Sequence, residues 1–271
     1  MGHPEFIIPI EAQGTQSDLG SQARLNGCKP NMQSSPESLR GSRFKRRHRA
    51  ILARSAVGVV EGRKLWETLT VPPGYSGGAV WGSNPVVDVG RKLVFIGTGN
   101  NYSIPTDPAY VKCIKRGGTR ATCQSPDDHA DSILALDMAT GAVKWATPRL
   151  ETWNQNQYGV TDGSDDWNVD CFVTLTNCPS NPGPDYDFGS APNEITYQTP
   201  QGPRTIIGAG QKSGIYYAFD PDTGAELWHT QVGPGSSLGG IEWGSASDGN
   251  RIYVAIANFY GIPYAYGSAG S

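Results

Sequence analysis

The sequence has no long hydrophobic run. Nowhere do the roughly 18 consecutive apolar residues of a bilayer-spanning helix occur, and FIIPI near the N-terminus is too short for the apolar core of a secretory leader. No sustained helical stripe runs through any window, which argues against a helical bundle. Neither sign of charge dominates: 22 Lys and Arg face 25 Asp and Glu, a net of −3, which gives no global reason to expect nucleic acid. Cysteine is sparse, at five residues. No Cys-x-x-Cys-His is present to attach haem, and no cysteine spacing fits a zinc site.

What is abundant is turn chemistry, with 35 glycines and 20 prolines among 271 residues. Many short strands separated by such turns predict an all-β domain of sandwich, barrel or propeller type. The strands repeat. Thr205 to Trp228 reads strand, turn, strand, turn, strand, with Ile215 to Phe219 a β-branched and aromatic run and Asp220-Pro-Asp-Thr-Gly224 a tight turn. Trp228 is expected to end the third strand and bury its indole between layers. Ser132 to Trp145 is a second copy: Asp137, Gly141 and Trp145 recur as Asp220, Gly224 and Trp228, each 83 residues on. A worn third copy, VGVVEGRKLW, keeps Gly62 and Trp66, with Gly58 at the Asp position and Glu61 at the Thr position. Such recurrence marks a repeat architecture.

A second element recurs with it. LVFIGTGN (Leu93 to Asn100), TIIGAGQK (Thr205 to Lys212) and RIYVAIAN (Arg251 to Asn258) are apolar strands that end in small residues and then a polar one. Three blades aiming Asn100, Lys212 and Asn258 from the same strand end predict a ring of ligands. An inner strand is expected around Ala79 to Ser83. Two long loops interrupt the repeats, Ser103 to His129 with Cys113 and Cys123, and Arg149 to Pro184 with Cys171 and Cys178. Disulfides within each pair suit such loops and an oxidising compartment. Asp127, Asp128 and His129 resemble a metal cluster only superficially, and read as a solvated loop. Residues 1–56 differ in texture, polar and then basic around RFKRRHR, and read as a disordered tail rather than a nucleic-acid patch. Residues 57–271 carry the repeats.

The A-x-D-x-x-T-G-x-x-x-W unit, twice intact, resembles the blade motif of the pyrroloquinoline-quinone (PQQ) dehydrogenases, which are eight-bladed propellers. GGAVWGS, GTGN, DYDFGSAPN, GAGQKSGIYYAFDPDTG and GPGSSLGGIEWGSASDG, in that order, resemble the polyvinyl-alcohol dehydrogenase branch most closely. The resemblance implies a partial eight-bladed propeller of about four blades. It implies an alcohol dehydrogenase using PQQ and Ca²⁺. Trp81 matches the tryptophan under the quinone, and Asn100 the amide ligand of Ca²⁺. Asp187 matches the catalytic aspartate, itself beside the metal, with Asp185 its nearest rival. Lys212 matches the cation on the quinone oxygens, and Glu242 and Trp243 fall where a later blade approaches the cofactor. By that resemblance, Ca²⁺ polarises the quinone carbonyl while Asp187 takes the alcohol proton and hydride passes to the quinone. Electrons would leave to a separate cytochrome c-type acceptor in the periplasm or outside the cell. The family's calcium-binding glutamate, cofactor arginine and adjacent cysteine pair have no match here, so a fragment or an inactive copy is also expected. A non-catalytic scaffold propeller is the competing reading.

Overall fold

A computed structural model describes residues 53–58, 62–82, 84–148 and 184–264. Most of the tail, the basic stretch, Cys28, Ser83 and the pair Cys171 and Cys178 lie outside the described residues. Two four-stranded antiparallel sheets form the centre. The first runs β3 (Val86–Asp88), β4 (Leu93–Gly97), β5 (Ser132–Asp137), β6 (Val143–Pro148). The second runs β7 (Asn193–Thr199), β8 (Gly202–Gly210), β9 (Ile215–Phe219), β10 (Glu226–Gln231), each strand beside its predecessor. Two-stranded sheets flank them: β1 (Ala53–Val57) with β2 (Lys64–Leu69), and β11 (Ser245–Ser247) with β12 (Ile252–Val254). Two four-stranded meanders packed face to face have the arrangement expected of neighbouring propeller blades.

Burial explains the strand composition. β4 and β9 are buried at every residue, so their runs are continuously apolar rather than alternating. Side chains still alternate between faces. Leu93 and Phe95 join Ile133, Ile207, Ile215 and Phe219 in the core between the two blades. Val94 and Ile96 turn the other way, with Leu134 and Leu136, toward Trp66.

The repeat motif is the joint between blades. Trp66 Nε1 donates to Met138 O at 3.0 Å, and Trp145 Nε1 donates to Pro221 O at 3.1 Å. Two residues after each indole a threonine adds a second bond, Thr68 Oγ1 to Gly141 O and Thr147 Oγ1 to Gly224 O, both 2.6 Å. Glycine is required at the seat: a Cβ on Gly141 or Gly224 would overlap the indole of Trp66 or Trp145. The Asp side chain shapes the turn. Asp137 Oδ1 accepts from the Thr140 hydroxyl and the Ala139 and Thr140 amides, and the Thr140 bond leads in holding its pKa down to about 2. Trp228 departs from the expectation. It lies within β10 rather than at its end, and it is 39% exposed because no turn is seated on it among the described residues.

Three further expectations change. The stretch from Ala79 is not a ladder strand. Gly77 and Gly78 take positive φ (89° and 64°), which breaks the extended backbone, and Gly78 N to Asn100 O and Gly99 N to Ala79 O hold it instead. The Ser103–His129 loop contains two helices, α1 (Pro108–Lys115) and α2 (Arg120–Cys123), so the domain is mostly rather than wholly β. Asp107 caps α1 ahead of Pro108, and Thr119 forms a capping box with Thr122, which is how such short helices start without a long apolar stripe. Asn258 closes its own loop, exchanging both amide bonds with Ile262 at 2.9 Å, so it does not extend the ring of ligands.

Cys113 and Cys123 are disulfide-bonded, tying α1 to α2 across a sequence separation of 10. Replacing both with alanine is expected to lower stability by about 2–4 kcal/mol. Thermal melts of the variant and parent read the difference, and equal midpoints would contradict it.

Candidate active site

The site forms where strand ends meet. Asn100 follows β4, Lys212 follows β8, and Asp185 and Asp187 lie on the segment leading into β7. That segment is pinned from both blades: Phe188 N donates to Thr98 O at 3.2 Å, and Lys212 N donates to Asp187 O at 3.0 Å. Gly97 and Gly99 make the approach possible, since a Cβ on Gly99 would overlap Asp187 Oδ1.

Asp187 is the hub. Its Oδ1 accepts the Asn100 backbone N–H at 2.7 Å. Its Oδ2 accepts from Trp81 Nε1 at 3.0 Å and from Lys212 Nζ at 2.9 Å. Lys212 Nζ also donates to Asp185 Oδ2 at 3.0 Å, and it lies 4.8 Å from the Trp81 ring centroid. Asn100, Asp185, Asp187 and Lys212 are all buried, at 1%, 4%, 5% and 5% exposure. Burial opposes the Lys212 charge, but Asp187 and Asp185 outweigh it and hold the pKa above its ordinary value.

Aromatic rings stand above this buried cluster. Trp81 is 40% and Trp243 70% exposed, with ring centroids 5.5 Å apart and nearly perpendicular. Trp243 N donates to Gly189 O at 3.0 Å, and a Cβ on Gly189 would come to 3.0 Å from the Trp81 ring. Glu242 is half-buried nearby; burial raises its carboxyl pKa, Lys212 lowers it and Asp187 raises it. The structure thus brings Trp81, Asn100, Asp187, Lys212, Glu242 and Trp243 to one place. Asp127, Asp128 and His129 lie elsewhere, and Asp128 is not solvated as expected: it is buried, its carboxylate accepting from Asn101 and Gln124 at 3.1 and 2.8 Å.

Tyr102 also feels this site. Burial raises its pKa, and Asp187 and Asp185 add to the rise while Lys212 opposes it. Sequence reading missed it, although its place two residues past Asn100 was a usable signal.

The donor set fits a hard cation and a flat anionic ring. Asp185, Asp187 and Asn100 offer hard oxygens, and two aspartates outnumber the one lysine they contact. Oδ1 of Asp187 carries one of these hydrogen bonds, which leaves a lone pair for a metal. Among the described residues no three of His, Cys, Asp and Glu group as metal ligands.

No family model matches the chain. It is 34% identical over 198 residues to a polyvinylalcohol dehydrogenase of Sphingopyxis sp. (strain 113P3), covering 73% of this chain and 24% of that one. It is 32% identical over 219 residues to a polyvinylalcohol dehydrogenase of Pseudomonas sp., covering 75% and 28%. Over about three quarters of its own length the chain is similar to polyvinylalcohol dehydrogenases. It spans about a quarter of the length of these curated polyvinyl-alcohol dehydrogenase relatives. Solved structures similar to it include quinohemoprotein alcohol dehydrogenase from Comamonas testosteroni (18% identity, 66% of this chain and 25% of that chain, TM-score 0.42). A europium-containing methanol dehydrogenase gives 14% identity, 66% and 29% coverage, and a TM-score of 0.42.

Proposed function

We propose that the site holds PQQ with Ca²⁺ and that the protein containing it oxidises an alcohol, a secondary alcohol or polyvinyl alcohol. One observation carries this reading. A single buried carboxylate, Asp187, is bonded at once to the Trp81 ring nitrogen, the Asn100 backbone and the Lys212 ammonium.

Trp81 offers a partly exposed flat face for a planar tricyclic ring, and its bond to Asp187 fixes the orientation of that face. Asn100 and Asp187 would hold Ca²⁺ by oxygen, with Asp185 on the same Lys212 ammonium as Asp187. Lys212, kept charged by the two aspartates, would stabilise negative charge that develops on the quinone. Asp187 accepts the hydroxyl proton of the alcohol, and its fixed hydrogen bonds hold the receiving oxygen in place. Glu242 and Trp243 line the approach. When bound, the quinone supplies the hydride acceptor and Ca²⁺ the Lewis acid. A separate cytochrome c-type protein takes the electrons, and the Cys113–Cys123 disulfide suits a periplasmic or secreted setting.

Reconstitution tests this directly. With PQQ, Ca²⁺ and a secondary alcohol, dye reduction is expected to exceed that of Asp187→Ala by about 10²–10⁴-fold. Equal rates in the two proteins would reject the catalytic assignment and favour a scaffold propeller.

A further inference from the structure

β4 ends at Gly97, so the stretch from Thr98 to Tyr102 carries Asn100 into the site outside any named strand. A buried backbone that leaves its ladder must find other partners. Asn100 N donates to Asp187 Oδ1 at 2.7 Å, Asn100 O accepts from Gly78 N at 2.8 Å, and Gly99 O accepts from Asp131 N at 2.9 Å. Gly77 lies so close above that a Cβ there would overlap Asn100 O.

The next residue is held by its side chain. Asn101 is buried, and both ends of its amide are bonded. Nδ2 donates to Ser76 O at 3.0 Å and to Asp128 Oδ1 at 3.1 Å, while Oδ1 accepts from Arg120 Nη2 at 2.8 Å. A guanidinium only donates and a carboxylate only accepts, so these two partners fix which way the amide points. Arg120 and Asp128 are themselves buried, and Gln124 Nε2 donates to the second oxygen of Asp128 at 2.8 Å. Opposite charges taken out of water on either side of one amide are tolerated only while their hydrogen bonds are kept.

The loop that supplies these groups is firmly tied down. Arg120 opens α2 and Gln124 caps its end, and Cys123 joins α2 to α1 through the disulfide with Cys113. Tyr75 packs edge-on against Tyr110 of α1, with centroids 6.1 Å apart, and its hydroxyl accepts from Ser125 N at 2.8 Å. Val71, Tyr75 and Tyr110 form a small apolar core beneath the loop, with Cys123 against it.

We propose that Arg120 and Asp128 are positioning residues, which grip the Asn101 amide and so keep the adjoining Asn100 in place to bind Ca²⁺. The proposal rests on the reading of Asn100 as a metal ligand. Asn100 and Asn101 share one planar peptide unit, so fixing the second residue restricts the carbonyl and Cα of the first. Asp187 holds Asn100 from its amide side, and the disulfide-closed loop holds it from the other. Groups that orient a metal ligand in this way typically alter metal affinity when removed.

Hydrogen exchange read by mass spectrometry on the full 271-residue chain tests the grip without any cofactor. In Arg120→Met, exchange across Gly97 to Tyr102 is expected to quicken about tenfold or more, while β9 keeps the protection of the parent. Arg120→Lys, which retains a charged donor, is expected to restore most of the protection. Asp128→Asn keeps the side-chain size and is expected to act in the same direction more weakly; it decides the matter should Arg120→Met fail to fold. With PQQ added, the Ca²⁺ concentration for half-maximal tryptophan quenching is expected to rise about 10- to 100-fold in Arg120→Met. At saturating Ca²⁺ the PQQ affinity is expected to match that of the parent. Unchanged exchange at Gly97 to Tyr102 overturns the positioning role, as does a loss of protection that β9 shares equally. Faster local exchange with an unaltered Ca²⁺ requirement overturns it too, because the grip then serves the fold alone. A parent chain without Ca²⁺-dependent quenching instead overturns the quinone reading on which the proposal rests.

Discussion

Replacing Lys212 with methionine is expected to lower the unfolding free energy by about 3–5 kcal/mol, measured by urea denaturation at neutral pH. The side chain is 6% exposed and bridges Asp185 and Asp187 at 3.0 and 2.9 Å. Removing it leaves two buried carboxylates side by side with their shared counter-ion gone. The parent protein's dependence on pH lies at the alkaline end. Lys212 titrates above its ordinary 10.5 in the folded state. Its ion pairs therefore contribute in full below 10.5, and that contribution is lost as pH rises through the higher folded value. A methionine variant as stable as the parent at neutral pH would show that the cluster is not held as described.

Trp145→Ala is the second large effect, at about 3–5 kcal/mol. The indole donates to Pro221 O, packs on Gly224 and contacts Phe95 at 5.8 Å, so its loss opens a gap between two blades. The same change at Trp228 is expected to cost under about 1 kcal/mol. Among the described residues its ring stacks on Tyr216, and it is 39% exposed. The pair of variants separates the joint from the residue type. Equal losses at both positions would mean that the tryptophan, rather than its seat, sets the cost.

The repeat was legible because each copy solves the same local problem with the same atoms: Asp to bind the turn, Gly for positive φ, Trp to reach the next blade. β4 and β9 were legible for a related reason, since burial on both faces leaves a continuous apolar run. The threonine two residues after each tryptophan was not recognised, because its partner glycine lies on another blade and only folding brings them together. GGAVW looked like a strand by composition, but two glycines at positive φ turn the chain there. The short helices α1 and α2 escaped because capping side chains, rather than periodicity, start them. At the site, the four residues Trp81, Asn100, Asp187 and Lys212 stood out by motif. The sequence left Asp185 as a rival to Asp187, and the structure puts both on one ammonium, with Asp187 also bonded to Trp81 and Asn100. Asn258 shared the pattern of Asn100 yet bonds within its own loop, a difference set by the residues after the strand rather than in it.

The most direct measurement of the central claim is the binding of PQQ itself, followed by tryptophan fluorescence with and without Ca²⁺. The site described here predicts saturable quenching that requires Ca²⁺. It also predicts affinity weakened about tenfold or more by Trp81→Ala and by Asp187→Asn, each variant first shown to be folded. Quenching that never saturates, or an affinity that neither substitution changes, would contradict a quinone site at Trp81, Asn100, Asp187 and Lys212.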